Sequence, residues 1–272
     1  MLHLRDTDGI TEVALARTLF GRPMRIASAF LIDGLLVDCG PPAVERELMQ
    51  WAARASIEQL FVTHHHEDHA GNAAALARVL GERARTTPAT VPLVAAPAPI
   101  HLYRRVIWGS PTPATLMPVE GTLATAHHRF AILPTPGHSF DHACLHEPER
   151  AWVFTGDLYI HERVRYLRAD EDLVALARSL RRVAALSPRL LACAHAGFVA
   201  EPVRAIERKL GFWRELAIRA QRLAKEGLSA AAVSRRVLGR EGLLTYVTAG
   251  HFSKVNLARA LLAIDCDELT LS

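Results

Sequence analysis

A run of side chains suited to metal binding is the strongest constraint on this fold. Residues 61–72 read FVTHHHEDHAGN, with four histidines, one glutamate and one aspartate in six consecutive positions. Ionisable groups are costly to bury unless they are paired or bind a metal. In an extended chain alternate side chains share a face, so His64 and His66 point the same way. Asp68 and His69 follow where the chain turns toward a helix. The run therefore indicates a metal site, with a solvated turn as the alternative.

Strand-like and helix-like stretches alternate on both sides of this run. Residues 25–40, RIASAFLIDGLLVDCG, predict a hairpin that turns at Asp33-Gly34. The helical stretch PAVERELMQWAARA, the strand IEQLFV and the helix NAAALARVL follow, and further apolar runs are VPLVAA, FAIL, HACL, AWVFTG and LLACAHA. Strands that interleave with helices predict a layered α/β architecture.

The pattern changes after residue 200. EPVRAIERKLGFWRELAIRAQRLAKEGL and KVNLARALLAIDC carry apolar residues at spacings of three and four, which is typical of helices. We therefore expect an α/β domain over residues 1–202 and a helical C-terminal region over residues 203–272 that packs on it. The proline-rich stretch 87–118 predicts a surface excursion between core elements.

Three later segments supply further metal-binding side chains. LPTPGHSFDH places His138 after a Pro-Gly turn, VFTGDLY ends a predicted strand with Asp157, and LLACAHAG ends another with His195. Strand ends followed by loops are where sites are often built on α/β scaffolds. Imidazole and carboxylate groups without thiolate suit zinc, manganese or iron. The four segments together predict one shared site.

The ordered set HHHEDH, PGHS, TGD and AHAG, preceded by LLVDCG, resembles the metallo-β-lactamase superfamily and its HxHxDH signature. The resemblance extends over residues 25–200. It implies an αββα sandwich with the metals at one edge between the sheets, here followed by the C-terminal helical region. His66 stands where diiron flavoproteins of the superfamily carry a glutamate, so two zinc ions per chain are expected, with manganese or iron as alternatives. AHAG at His195 replaces the PGHG of glyoxalase II-like members and leaves the choice between a glyoxalase II-like and a lactonase-like subgroup open.

The resemblance also implies a role for each residue of the motifs. One metal would be held by His64, His66 and His138, the other by Asp68, His69 and His195, and Asp157 would bridge the two. Asp68 would also orient the attacking hydroxide, and Asp38 would lie beneath the site. From its place in the sequence, Tyr159 is a candidate hydrogen-bond donor to a developing oxyanion, with a packed aromatic as the alternative. Substrate contacts by His161, His251 and Lys254 are left open.

Such a site predicts hydrolysis. Two divalent ions lower the pKa of a shared water toward about 7, so a metal-bridging hydroxide would attack a small carbonyl substrate, either a thioester, an ester or a lactone. The residual positive charge of the site favours an anionic substrate. The alternatives are a metal-dependent RNase or phosphodiesterase, a non-catalytic metal-containing ligand sensor and a mononuclear iron dioxygenase. A net charge of +4 supports a nucleic-acid partner only weakly.

Cysteine usage and the first residues bear on location. The four cysteines are dispersed, which favours a reduced, cytoplasmic protein. MLHLRDTDGI lacks the basic and then apolar run of a secretion signal, and no stretch approaches the length of a membrane span. We expect a cytoplasmic enzyme without a membrane partner, and pairing into a homodimer is left open.

Overall fold

The computed structural model describes residues 1–19 and 21–271 as two β-sheets covered by helices. The strands are β1 Leu2–Thr7, β2 Ile10–Leu15, β3 Thr18–Leu19, β4 Arg22–Pro23, β5 Ala27–Ile32, β6 Leu35–Val37, β7 Gln59–Val62, β8 Ala84–Thr86, β9 Met117–Pro118, β10 Thr122–Ala124, β11 Arg129–Pro134, β12 Ala143–Glu147, β13 Trp152–Gly156, β14 Leu167–Arg168, β15 Leu190–Cys193, β16 Gly197–Val199 and β17 Phe252–Ser253. The α-helices are α1 Glu45–Ala52, α2 Glu67–Ala70, α3 Ala73–Leu80, α4 Val91–Ala95, α5 Leu102–Trp108, α6 Leu173–Ala185, α7 Pro202–Lys225, α8 Ala230–Val237, α9 Leu243–Val247 and α10 Lys254–Ala263.

The two sheets have simple orders. The first is seven-stranded, β1-β2-β5-β6-β7-β8-β9, and the second is six-stranded, β10-β11-β12-β13-β15-β16. In the first sheet β6, β7, β8 and β9 run parallel, and in the second β13 and β15 are the parallel pair. The carboxyl ends of β7 and β13 deliver the HHHEDH run and Asp157, so strand ends carry the motifs as the sequence predicts.

Side-chain alternation separates three hydrophobic clusters and so defines four layers. On β13, Phe154 enters the cluster between the sheets, whereas Val153 faces the cluster that includes α6 and α7. On β6, Leu36 joins the cluster under α1 and α3, and Val37 faces the other sheet. Because period-2 alternation buries both faces of these strands, each sheet is covered by helices on its outer side. The predicted αββα sandwich is confirmed.

The hairpin predicted over residues 25–40 is confirmed as β5 and β6. Asp33 and Gly34 both have positive φ, +45° and +78°, as a two-residue type I′ turn requires. The same pair of residues occurs at Asp8-Gly9, with φ of +53° and +82°, where β1 turns into β2. This second Asp-Gly pair therefore marks a hairpin of the first two strands, which was not among the predicted elements.

Other segments differ from expectation. VPLVAA forms α4 rather than a strand, with Pro92 in its first turn, where the missing N–H costs nothing. The proline-rich stretch forms α4 and α5, and α5 packs beside the metal-ligand residues. The C-terminal region is helical as predicted, but it also contributes β17, which pairs with β14.

The C-terminal helices are continuous with the core of the second sheet. Trp213 and Leu257 share one hydrophobic cluster with Leu180 of α6 and Leu191 of β15. The boundary at residue 202 stays a prediction, since α7 begins there without a separate core. Within the part of the chain that the structure describes, no helix is both long and apolar enough to cross a membrane.

Candidate metal centre

Two groups of metal-binding side chains converge at one edge of the sandwich. The first consists of His64, His66 and His138, and the second of Asp68, His69, Asp157 and His195. In each group the candidate ligand atoms lie within 4.8 Å of one another. These are the seven residues predicted as ligands, and all seven are brought together.

Three imidazole nitrogens face one another in the first group. His66 Nδ1 lies 2.9 Å from His64 Nε2 and 3.0 Å from His138 Nε2. All three side chains are buried, with at most 3% of their surface exposed. Burial lowers the pKa of both His64 and His66 well below the usual range, and the neighbouring His69 and Arg168 act in the same direction. The neutral imidazole is the form that binds a metal, and burial favours it at His64 and His66.

Asp157 lies between the two groups. One carboxylate oxygen, Oδ2, is 3.2 Å from His138 Nε2, and the other, Oδ1, is 3.3 Å from His69 Nε2 and 3.4 Å from His195 Nε2. Asp68 Oδ2 lies 3.3 Å from the same nitrogen of His195. A carboxylate with one oxygen toward each group has the arrangement that a bridging ligand requires.

Charges in the second group are unbalanced in a way that favours a cation. Burial lowers the pKa of His195, but Asp157 and Asp68 raise it more, to about 9. Burial likewise lowers the pKa of His69, while Asp157 and Asp38 raise it well above its usual range. Protons on these rings offset the buried carboxylates, and a divalent metal would take their place.

Unsatisfied polar atoms test whether a metal fits. Among residues 1–19 and 21–271, His69 Nε2 and Asp157 Oδ1 are two of the four buried side-chain atoms without a hydrogen-bond partner. Such atoms are rare because each costs the free energy of its lost hydration. The two atoms face each other in the second ligand group, so one cation would satisfy both. The donor set fits a metal.

The far nitrogen of four ligand histidines binds a protein group. Thr63 Oγ1 lies 3.0 Å from His64 Nδ1 and Asp38 Oδ2 lies 2.7 Å from His69 Nδ1. The carboxylate of Glu171 is 2.7 Å from His138 Nδ1, and the carbonyl of Ile26 is 2.7 Å from His195 Nδ1. Partners of this kind fix the tautomer and the orientation of a ligand imidazole. Asp38 was foreseen in this role, whereas Glu171 was not.

His142 and Asp141 support the site from beneath. The backbone N–H of Asp157 donates to His142 Nε2 over 3.1 Å, and His142 Nδ1 lies 2.8 Å from Thr135 Oγ1. Burial lowers the pKa of His142 to about 3, so the ring is neutral. Asp141 accepts from the backbone N–H of His65 over 2.9 Å and ties the histidine run to the loop before β12.

Glu67 and Gly71 are both buried next to the candidate ligands. Glu67 is only 2% exposed and forms a bidentate pair with Arg104 at 2.5 and 2.6 Å. Gly71 has a φ of −59°, an ordinary helical value. Its requirement is steric, since a Cβ there would lie 2.3 Å from the carbonyl oxygen of Glu67.

Tyr159 is not brought to the ligand groups. Its ring is buried in the hydrophobic cluster around α7, with the ammonium of Lys209 5.6 Å from the ring centre. Burial raises the pKa of Tyr159 to about 12, and the nearby Glu162 adds to the rise. The position fits the packed-aromatic alternative.

The residues whose substrate contacts were left open lie at different distances from the site. His161 is exposed, and Lys254 donates to the carbonyl of Arg240 over 2.6 Å. The start of α10 is already occupied by the carboxylate of Glu241, which accepts from Lys254 N and Val255 N. His251 is closer to the site, with Nδ1 2.7 Å from the hydroxyl of Tyr103.

A cavity of about 100 Å³ opens beside both ligand groups. Four stretches outside the motifs line it: Arg25; Tyr103, Arg104, Ile107 and Trp108; Ile160, Arg168 and Glu171; Leu244, Val247, Thr248 and Phe252. The Trp108 ring is stacked near His195, with ring centres 6.3 Å apart. The cavity therefore joins the metal-ligand residues to α5 and to the C-terminal region.

Comparison with known proteins agrees with this geometry. The family model of the metallo-β-lactamase superfamily matches residues 22–195. A hydroxyacylglutathione hydrolase from Cereibacter sphaeroides is 26% identical over 168 residues, which are 61% of this chain and 57% of that enzyme. The match thus spans little more than half the length of that relative.

Two solved structures share the fold over nearly the whole chain. A metallo-β-lactamase family protein from Thermus thermophilus has a TM-score of 0.66 at 19% identity, over 94% of this chain and 92% of its own. A β-lactamase domain protein from Burkholderia ambifaria has a TM-score of 0.70 at 18% identity, over 95% of this chain and 86% of its own. With the ligand groups, the αββα layers and the family match in agreement, this chain belongs to the metallo-β-lactamase superfamily.

Proposed function

We propose that this protein is a dinuclear metal-dependent hydrolase of a small carbonyl substrate, with a thioester as the first choice and an ester or lactone next. The observation that carries the proposal is Asp157, whose two oxygens face the two ligand groups at the wall of one cavity. Two bound divalent ions, zinc in our proposal, would supply an activated water and polarise the carbonyl. The relative named hydroxyacylglutathione hydrolase supports the thioester choice.

The chain's own residues would orient the reaction. Asp157 is ionised, since burial raises its pKa but His195 and His69 lower it further, to well below the usual range. For Asp68, burial also raises the pKa and His69 lowers it more. Ionised Asp68 would therefore accept a hydrogen bond from the attacking water and orient it. Trp108 would exclude bulk water on the His195 side.

The size and charge of the cavity support a small anionic substrate. A volume of about 100 Å³ corresponds to a few water molecules, which suits an acyl group better than a nucleotide. Arg25 and Arg168 both line it. The four cysteines are free, which supports the cytoplasmic location that we propose.

Metal content is the first test of this proposal. Elemental mass spectrometry of protein purified without added metal should give about two zinc ions per chain. Thioester, ester, lactone and RNA substrates would then be compared, with the thioester hydrolysed fastest. One iron per chain, or no metal, would contradict the proposal, and RNA cleavage without acyl hydrolysis would replace it.

Asp157→Asn tests the bridging carboxylate. The amide keeps the shape but removes the charge that both ligand groups share, so we expect metal content to fall below two per chain and turnover to drop by about a thousandfold or more. Asp267→Asn, at an exposed carboxylate remote from the cavity, is the matched control and should change neither. An Asp157→Asn protein that keeps both metals and full turnover would rule out the bridge.

A further inference from the structure

Arg168 is the buried cation next to the first ligand group. Its side chain is only 4% exposed, and its guanidinium lies at the wall of the cavity. Nη2 is 3.0 Å from His66 Nε2, and Nη1 is 3.3 Å from His66 Nδ1 and 3.5 Å from His138 Nε2. No motif of the sequence predicted this residue.

The fold holds Arg168 firmly in that place. β14, which carries it, pairs with β17 of the C-terminal region, so that Arg168 lies opposite Phe252. The carboxylate of Asp170 accepts from Nε over 2.9 Å and from Nη2 over 2.6 Å. His251 Nε2 lies 3.3 Å from the same carboxylate. The guanidinium is therefore preorganised, and one edge of it is fully used by Asp170.

The other edge of the Arg168 guanidinium, which carries Nη1, faces ring nitrogens of His66 and His138. These nitrogens can accept hydrogen bonds only while the two histidines hold no metal. His66 Nδ1 points into the ligand group, so a metal held there would take its lone pair and leave the ring proton on Nε2. A protonated Nε2 cannot accept from Nη2. The lone pair of His138 Nε2 is taken in the same way. Metal binding thus leaves the Nη1 edge of Arg168 without an acceptor among these rings.

An unpaired guanidinium edge in a buried site is unfavourable for two reasons. Its N–H groups lose hydration without a replacement. Its permanent charge also lies next to a cationic centre, and the two repel unless an anion lies between them. Arg104 cannot relieve this arrangement, because it is itself a cation and its guanidinium already pairs with Glu67.

We propose that Arg168 is the site's receptor for a carboxylate oxygen, which it binds on its Nη1 edge against the three-histidine group. This inference rests on the proposed function, because hydrolysis of a thioester, an ester or a lactone yields a carboxylate in every case. Arg168 would also bind the carbonyl oxygen of the substrate that becomes this carboxylate. A planar guanidinium suits a carboxylate better than an ammonium does.

The test is a titration that needs no turnover. The full chain is loaded with Co²⁺, and acetate, as the carboxylate probe, is added while the visible absorption of the metal is followed. Wild type is compared with Arg168→Gln and Arg168→Lys. Arg178→Gln, which removes an exposed arginine paired with Glu268, is the matched control. Cobalt content and melting temperature are measured for every variant.

We expect Arg168→Gln to keep its cobalt and its fold while its acetate dissociation constant rises about tenfold or more, the loss of a hydrogen bond between charged groups. Arg168→Lys should show a smaller rise, because the charge remains but the planar edge is lost. The control should match wild type.

Acetate binding within twofold of wild type in Arg168→Gln would overturn the proposal and leave Arg168 as a structural brace. If that variant does not fold, unchanged acetate binding by Arg168→Lys overturns it equally, and so does a wild-type protein that acetate does not perturb. Failure of the proposed function is seen separately. A chain that binds acetate through Arg168 but hydrolyses no acyl substrate keeps this inference and loses the function.

Discussion

Four of the five candidate ligand histidines are oriented through their second ring nitrogen, and Glu171 shows how much one such partner does. Its carboxylate accepts from His138 Nδ1 at 2.7 Å and from the backbone N–H of Arg168 at 2.9 Å. Burial raises the pKa of Glu171, but His138 lowers it further, so the group is ionised at neutral pH. One carboxylate thus joins a metal ligand to the segment that carries the buried arginine.

Glu171→Gln should weaken metal binding at the first group by about 10- to 100-fold. The amide has one acceptor oxygen for two donors and no charge, so either His138 or the backbone N–H of Arg168 loses its partner. Competition with a chromophoric chelator measures the change. Glu268→Gln, at a surface carboxylate paired with Arg178, is the control and should leave affinity as it is. Equal affinity in Glu171→Gln would show that His138 needs no carboxylate.

Tyr159→Phe should leave turnover within about twofold of wild type and change stability by less than about 1 kcal/mol. The ring stays packed in the cluster around α7, and the hydroxyl that is lost does not line the cavity. Steady-state kinetics and a melting curve decide the matter. A drop in kcat with unchanged metal content would restore the catalytic role first considered for this residue.

Residue-level patterns identified the candidate ligands where a motif follows a strand. His64, Asp157 and His195 could be read because each stands at the end of an apolar run. Arg168 and Glu171 could not, because YLRADEDL reads as a solvated charged loop and only the pairing of β14 with β17 buries it. That pairing joins residues far apart in the chain, which local patterns do not report.

Helix α7 shows the same limit at the scale of an element. The spacing of its apolar residues predicted a helix, and Ala205, Trp213 and Leu216 are buried as that spacing requires. Lys209 lies on that buried face, only 2% exposed, where its ammonium donates to the carbonyl oxygens of Tyr159 and His161. The helix thereby fixes the chain just after Asp157. The amphipathic pattern of α7 did not predict this contact.

The buried ammonium of Lys209 predicts a pH dependence of stability. Burial lowers the pKa of Lys209 from 10.5 to about 8. Between those values the unfolded chain holds this proton and the folded chain does not, so the free energy of unfolding rises with pH, by at most about 3 kcal/mol. Denaturant titrations at pH 8 and at pH 10.5 measure the rise.

The matched variant for this prediction is Lys209→Met, which keeps the buried stem without the charge. It should lose that pH-dependent component while other groups titrate as before. If wild type and Lys209→Met gain the same stability over the window, the ammonium is not the source.

At the scale of the whole molecule, the alternation of strands and helices was enough to predict a layered α/β architecture, and the αββα order of the layers came from the family resemblance. Phe154 and Val153 point to opposite sides of β13, and that alternation alone requires a partner layer on each side. The order of strands within each sheet was beyond reach, because it depends on which edges pair over long separations. The position of α5 beside His195 could not be predicted either, because the prolines of residues 87–118 indicated an irregular stretch.

Removal of metal should destabilise the entire chain. The second group buries Asp68 and Asp157 close together, and without a cation their charges rely on protonated histidines. A ligand that binds only the folded state stabilises it by about 4 kcal/mol when its free concentration is a thousandfold above its dissociation constant. Chelation should therefore lower the melting temperature by roughly 10 °C. Restoring zinc should reverse the loss, and an unchanged melting temperature in metal-free protein would contradict a structural contribution.

The pairing of β14 with β17 also orders events during synthesis. The histidines of the first ligand group and Asp157 leave the ribosome well before Phe252, the residue opposite Arg168. At about 5 to 20 residues per second, the roughly 95 residues from Asp157 to Phe252 take about 5 to 19 s. During that interval a nascent chain holds the three histidines of the first group, but the strand that seats the arginine has not been made. Metal capture and completion of the proposed carboxylate receptor would thus be separate steps in the life of each molecule.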